Sequence, residues 1–333
     1  MIKSIFSPIS RAINRLATSF TKESLLAGFF FFLVLCSWYI LRPVRNEMAV
    51  QNAEILPYLL GIGALVMLFL NPVYSWLASR KNLRGVLVGC YSFFILNLLS
   101  FIGLWQFFDL SSSLLLSQIF YIWCNVYSFF VVSIFWVVII NLFRGGSAVN
   151  VFGVIAAGGS LGAYLGSEIS KQLATTFNES GIIFFTMISI IFLLLALLAG
   201  LGLMNRFREL KGINDSPGGS SFDAIKNLIS SSQIRSIGLY MYLWTALMTV
   251  HWITSVEIVN AWSSDGGNRI VFFSKIEQTV TVLTLFTQFF LTSAILRFVR
   301  AKYILMTYGF LFAGVFIGYF LSPSIGYVFI VTI

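Results

Sequence analysis

The chain has 333 residues, of which 58% are hydrophobic and only 10% charged, and its mean hydropathy is +0.91. A soluble domain carries about a quarter charged residues, so this composition excludes an ordinary soluble fold and indicates an all-α, multi-pass membrane protein. The net charge of +9 is not a nucleic-acid signature, because basic residues collect on the cytoplasmic loops of membrane proteins and the sequence has no soluble domain to hold a nucleic-acid-binding face.

Residues 1–23 hold Lys3, Arg11, Arg15 and Lys22, with Ile5, Ile9, Ile13, Leu16 and Phe20 at helical spacing. The pattern predicts an amphipathic segment on the cytoplasmic interface. The apolar run starts only near Leu25 and no small-residue cleavage site follows it, which argues against a cleaved secretory signal.

Crossing about 30 Å of hydrocarbon takes about 20 apolar residues. Such segments fall at 24–42, 57–79, 85–107, 113–143, 151–174, 181–204, 236–259, 277–298 and 302–321, and one more starts near Gly326. With the N-terminus inside, sixteen Lys and Arg lie on cytoplasmic segments and five on the outer side. That asymmetry is the one expected of an N-inside protein, here of a bacterial inner membrane.

The first span is apolar from Phe29 to Leu41 and leads directly into Arg42, Pro43, Arg45 and Glu47. Charges at that depth usually face a water-filled cavity or a protein partner, because hydrocarbon solvates them poorly. On a continuous helix Arg42 and Arg45 are one turn apart, and Trp38 and Tyr39 lie three to four residues before Arg42, so the four share a face. Guanidinium forks take phosphate or carboxylate oxygens in pairs, and the rings suit a ligand with a flat group. The same residues also suit anchoring to lipid headgroups. Glu47 is a candidate coupling or gating group.

The fourth span contributes Asn125 and Tyr127 as its polar anchors in YIWCNVYSFFVVSIFW (121–136). The fifth, NVFGVIAAGGSLGAYLGSEIS (150–170), presents Gly158, Gly159, Gly162 and Gly166. Gly162 and Gly166 form a small-xxx-small step that lets two helix backbones approach closely. No Lys-Ser or Lys-Thr follows these glycines and GxGxxG is absent, so a phosphate loop is not indicated.

Phe135-Trp136, then a cytoplasmic turn and VFGVIAAGGSLGAYLG (151–166), resembles the ATP/ADP translocases of plastids and intracellular bacteria and their bacterial relatives. YILRPVRNEM (39–48) is similar to the end of that family's first helix. The resemblance covers about residues 29–166. It implies a major-facilitator-like fold and exchange of nucleotides across a membrane. The nucleotide exchangers carry a carboxylate ahead of the Phe-Trp pair, where this chain has Asn125 and Tyr127.

Residues 205–235, with Pro217-Gly218-Gly219-Ser220-Ser221 at the centre, form the long polar stretch and predict a flexible cytoplasmic linker. A weak repeat flanks it: SWLASRKNLRGVL (75–87) and AILRFVRAKYIL (294–305) each place a basic turn between two apolar helices. Two pseudo-symmetric six-helix halves follow as the expected architecture, major-facilitator-like, with 24–204 as the first and 236–333 as a truncated second. In span seven His251 and Glu257 are candidate protonatable coupling groups, though they do not clearly share a face, and His251 equally suits a packing role. Lys275, Glu277 and Gln278 read as an interfacial cluster opening span eight.

The function expected from these residues is secondary-active transport by alternating access, exchanging nucleotides or another organic anion, with no cofactor, metal or hydrolytic step. A membrane sensor or scaffold of the same fold is the alternative. A lipid-modifying enzyme would need a catalytic constellation near one interface, and none is evident. The orientation is checked by thiol labelling of intact cells. Ser264→Cys should label from outside and Ser220→Cys only after permeabilisation, whereas labelling at position 220 alone would reverse the topology.

Overall fold

The computed structural model describes residues 21–80, 83–107, 114–143, 148–177, 181–211, 231–287 and 301–333. The regular elements among them are helices: α1 (Lys22–Gln51), α2 (Leu56–Arg80), α3 (Leu83–Phe107), α4 (Leu114–Leu142), α5 (Ala148–Phe177), α6 (Ile182–Lys211), α7 (Ser232–Trp262), α8 (Gly266–Phe286), α9 (Ala301–Leu321) and α10 (Ile325–Thr332), with a 3-10 turn at Ala53–Ile55. On length and composition α1, α2, α3, α4 and α6 can each cross a membrane, and the chain is an all-α membrane protein. Residues 1–20, most of the 205–235 linker and the second copy of the basic turn lie outside the described residues.

Two expected boundaries change. The first span does not stop at 42, because α1 continues through Pro43 to Gln51. The proline deprives the Tyr39 carbonyl of its usual amide partner, and packing on every side keeps the helix going. At its start, the Thr21 hydroxyl accepts from the Ser24 amide at 3.1 Å and the Ser24 hydroxyl accepts from the Thr21 amide at 2.9 Å, a reciprocal cap. Span eight begins eleven residues earlier than expected: only Ser263–Asp265 separate α7 from α8, and the Asp265 carboxylate caps α8 by accepting from the Asn268 amide at 3.1 Å.

Helix α1 is the centre of the bundle and touches α4, α5, α6, α7 and α8. Its tightest neighbour is α5. A Cβ added to Gly158 would overlap the Gly28 carbonyl, one on Gly162 the Phe32 carbonyl, and one on Gly166 the Cys36 carbonyl; one on Gly159 would overlap the Phe31 ring. Both partners advance by four residues at each step, so α1 and α5 run parallel with backbone against backbone. The expected packing role of the four glycines thus acquires its partner. Lipid supplies little hydrophobic drive between helices, so close packing of this kind holds the pair together.

On its other sides α1 is fixed by rings and hydroxyls. Phe31 stacks on Phe135 of α4 with centroids 4.3 Å apart. The Ser37 hydroxyl meets the Tyr127 hydroxyl at 2.6 Å and donates to the Ser189 carbonyl at 2.8 Å, while the Ser189 hydroxyl donates to the Ser37 carbonyl at 3.0 Å. These neutral bonds join α1, α4 and α6 at one level. At the end of α1, Asn52 donates to the Ser117 hydroxyl at 2.8 Å and accepts from Gln118 at 2.9 Å, which pins it to the start of α4.

The outlying α2 packs on α4 and leaves Tyr58, Leu65, Leu68 and Phe69 exposed, as suits a helix whose solvent is lipid. An apolar cavity of about 660 Å³ lies between α2, α3 and α4, walled by residues such as Leu70, Phe93 and Trp123.

Gly162→Leu should therefore destabilise the protein by at least the ~1–3 kcal/mol of an overpacked core, because the obstruction is backbone and cannot move aside. Gly153→Leu, where an added Cβ meets nothing within 4 Å, should be tolerated. Thermal unfolding of the two purified variants in detergent compares them, and equal melting temperatures would refute the α1–α5 contact.

Candidate functional site

The C-terminal half of α1 carries charge into the middle of the bundle. Arg42 lies about 30 Å along the helix from Lys22 at 1.5 Å per residue. Its Nε meets the Glu277 carboxylate of α8 at 2.9 Å, and its Nη1 donates to the Tyr39 hydroxyl at 2.9 Å, with the guanidinium 5.1 Å from that ring. Glu277 is only 6% exposed against 35% for Arg42. It is a buried ion-pair partner rather than part of an interfacial cluster. Placing the start of α8 at Gly266, from the Asp-x-x-Asn cap, would have put this carboxylate well inside the helix.

A second pair crosses in the opposite sense. Glu47 on α1 is fully buried and accepts from Arg269 Nη2 of α8 at 2.7 Å. Arg269 also donates from Nη1 to the Asn260 side chain at 3.3 Å and to the Ser263 carbonyl at 3.2 Å, which closes the α7–α8 turn over the charge. Within the two pairs, α1 gives one cation and one anion and α8 gives the complement, so the antiparallel helices are clasped at two levels. Close by, Gln278 of α8 donates to Glu168 of α5 at 2.5 Å, and Glu168 also holds Lys171 at 2.5 Å.

Arg45 is different. Its Nη1 donates to Asn125 Oδ1 of α4 at 2.7 Å, and its Nη2 and Nε donate to Asn46 Oδ1 at 2.6 and 3.2 Å. The guanidinium lies 5.5 Å from the Tyr121 ring and 5.6 Å from the Trp252 ring of α7, within cation–π range. Among the described residues no carboxylate bonds to it. A half-buried guanidinium held by amide oxygens and flanked by two rings keeps donor capacity for an incoming anion and offers aromatic surface for a flat group.

The residues expected in the site divide accordingly. Arg42, Tyr39, Arg45, Asn125 and Glu47 come together. Trp38 does not: it is buried against Tyr127, with centroids 6.1 Å apart. Tyr127 is fully buried in the Ser37–Ser189 knot and serves packing. Tyr121 and Trp252 supply the rings instead. A helix apolar on all sides gives no stripe by which to tell them apart.

His251 lies elsewhere. Its Nδ1 meets the Tyr319 hydroxyl of α9 at 2.9 Å and its Nε2 the Thr332 hydroxyl of α10 at 3.4 Å, while Ser255 meets Tyr319 at 2.9 Å. This fits the packing reading of His251. Glu257 is exposed, and among the described residues no hydrogen bond or ion pair joins it to His251 or the charged cluster.

The chain matches no protein-family profile, no curated protein and no solved structure.

Removing one member of a buried ion pair strands the other and costs about 3–5 kcal/mol, whereas replacing both with apolar groups is often close to neutral. Glu47→Leu and Arg269→Met should each lower thermal stability sharply, and the double variant should recover much of the loss. Strictly additive effects in this cycle would show that the two side chains do not interact.

Proposed function

We infer that this protein is a secondary-active transporter of organic anions that works by alternating access. The observation that carries the reading is Arg45. A guanidinium set inside an apolar bundle is costly, and this one has neutral hydrogen-bond partners, two ring neighbours and, among the described residues, no carboxylate bonded to it. The sequence resemblance at 39–48 and 151–166 makes nucleotides the leading substrates and a major-facilitator-like pair of halves the framework.

In this mechanism the anion enters beside Arg45, competes with Asn46 and Asn125 for its donors, and lays any flat group against Tyr121 or Trp252. The Arg42–Glu277 and Glu47–Arg269 pairs tie the helices before residue 212 to those after residue 230. They are the contacts that break for the outer ends of α1 and α8 to part and re-form as the protein closes. The energy of the cycle comes from the exchanged or co-transported solute.

Uptake of labelled nucleotides, phosphates and carboxylates into proteoliposomes tests the reading. Arg45→Ala should weaken apparent affinity by about thirtyfold, the equivalent of ~2 kcal/mol for one charge-assisted interaction. Arg45→Lys should weaken it less, because charge survives but the planar fork is lost. Unchanged affinity in both variants would remove Arg45 from the site.

A further inference from the structure

Building on the transport reading above, we propose that Glu277 sets the charge of the solute and restricts the site to ligands that present a single negative charge. The basis is an inventory of the charges where α1, α4, α7 and α8 meet. The described side chains there supply three guanidinium groups, Arg42, Arg45 and Arg269, and two carboxylates, Glu47 and Glu277. Each carboxylate already holds one guanidinium. One positive charge is left over, on Arg45: its hydrogen-bond and ring partners Asn46, Asn125, Tyr121 and Trp252 are neutral, and the paired charges next nearest to it, Arg42 and Glu277, cancel one another. The neighbouring Glu168–Lys171 pair is balanced within itself.

A ligand bearing one carboxylate, or one phosphodiester group, brings this inventory to neutrality, which narrows the nucleotides of the transport reading to singly charged ones such as cyclic phosphates and excludes ADP and ATP. A second negative charge finds no free cation. Arg42 is one turn from Arg45, about 4.5 Å along the axis, and is well placed to take a second anionic group, but Glu277 occupies it at 2.9 Å. Glu277 has nowhere else to go. It is 6% exposed, and the residues one turn away on its own helix, Ser274 and Thr281, are neutral. A dianion that engaged both Arg42 and Arg45 would have to draw those cations away from a buried carboxylate, which low-dielectric electrostatics opposes. Glu277 therefore acts as a built-in second anion that leaves room for one charge from outside.

The experiment uses ligands that differ mainly in charge: benzoate against phthalate, and adenosine 3′,5′-cyclic phosphate against AMP and ADP. Binding to the purified full chain is followed by equilibrium dialysis, and translocation by uptake into proteoliposomes. The wild-type protein should favour the singly charged member of each set by about tenfold or more, since a tenfold ratio needs only ~1.4 kcal/mol. Glu277→Gln raises the site to two uncompensated cations and should move the ratio toward dianions by a similar factor. Arg42→Gln combined with Glu277→Gln restores one excess cation and should return the ratio to the wild-type side. A wild-type preference for dianions would overturn the proposal, even if Glu277→Gln does not fold. So would a ratio that Glu277→Gln leaves unmoved. Charge-selective binding without uptake would refute the transport reading and leave the charge rule standing, and no binding of any anion would refute both.

Discussion

Where α1 crosses α5, one helix presents Gly158, Gly162 and Gly166 to the backbone of the other at Gly28, Phe32 and Cys36. At these three points, spread over nine residues, no α5 side chain separates the two main chains. This approach places α1 at the axis of the bundle rather than on its rim, because a helix held so near one neighbour is within reach of others. Phe31 then reaches Phe135, and Ser37 reaches both Tyr127 and Ser189. The charged end of α1 depends on the same placement. Residues 42–47 avoid hydrocarbon only because the glycine contact has already drawn the lower half of the helix inside.

The charged cluster adds little to stability in itself, since desolvating buried ions offsets most of their mutual attraction. Its value lies in register. Two pairs of opposite polarity fix α8 against α1 both in height and in rotation: a slip of one turn would leave Glu47 and Glu277 without their arginines. The Ser37–Tyr127–Ser189 knot does comparable work within the first six helices without charge.

Much of this was legible in the residues. Of the nine expected spans, the five at α1, α2, α3, α4 and α6 follow from hydropathy, and the glycine face follows from its spacing. The inward placement of Arg42 and Arg45 follows from the cost of charge in lipid. What could not be read was orientation about each helix axis. Trp38 and Tyr39 are neighbours on an apolar helix, and only the packing shows that one belongs to the core and the other to Arg42. Hydropathy starts span eight at Glu277 because Arg269 and Lys275 interrupt the apolar pattern before it, so the carboxylate reads as interfacial rather than as a buried partner. Burial of Arg269 is possible because the α7–α8 turn folds over it, a tertiary effect with no local signature.

Pro43 lies between two unlike regions of the same helix. Below it α1 is gripped by backbone contacts that cannot be relaxed by degrees, since any separation from α5 gives up dispersion along the whole crossing. Above it the helix is held by side-chain ion pairs, long-armed and able to stay joined over some travel. The missing hydrogen bond to the Tyr39 carbonyl softens the junction. One continuous helix thus behaves mechanically as a clamped beam with a compliant joint, and bending concentrates at the level where the arginines begin.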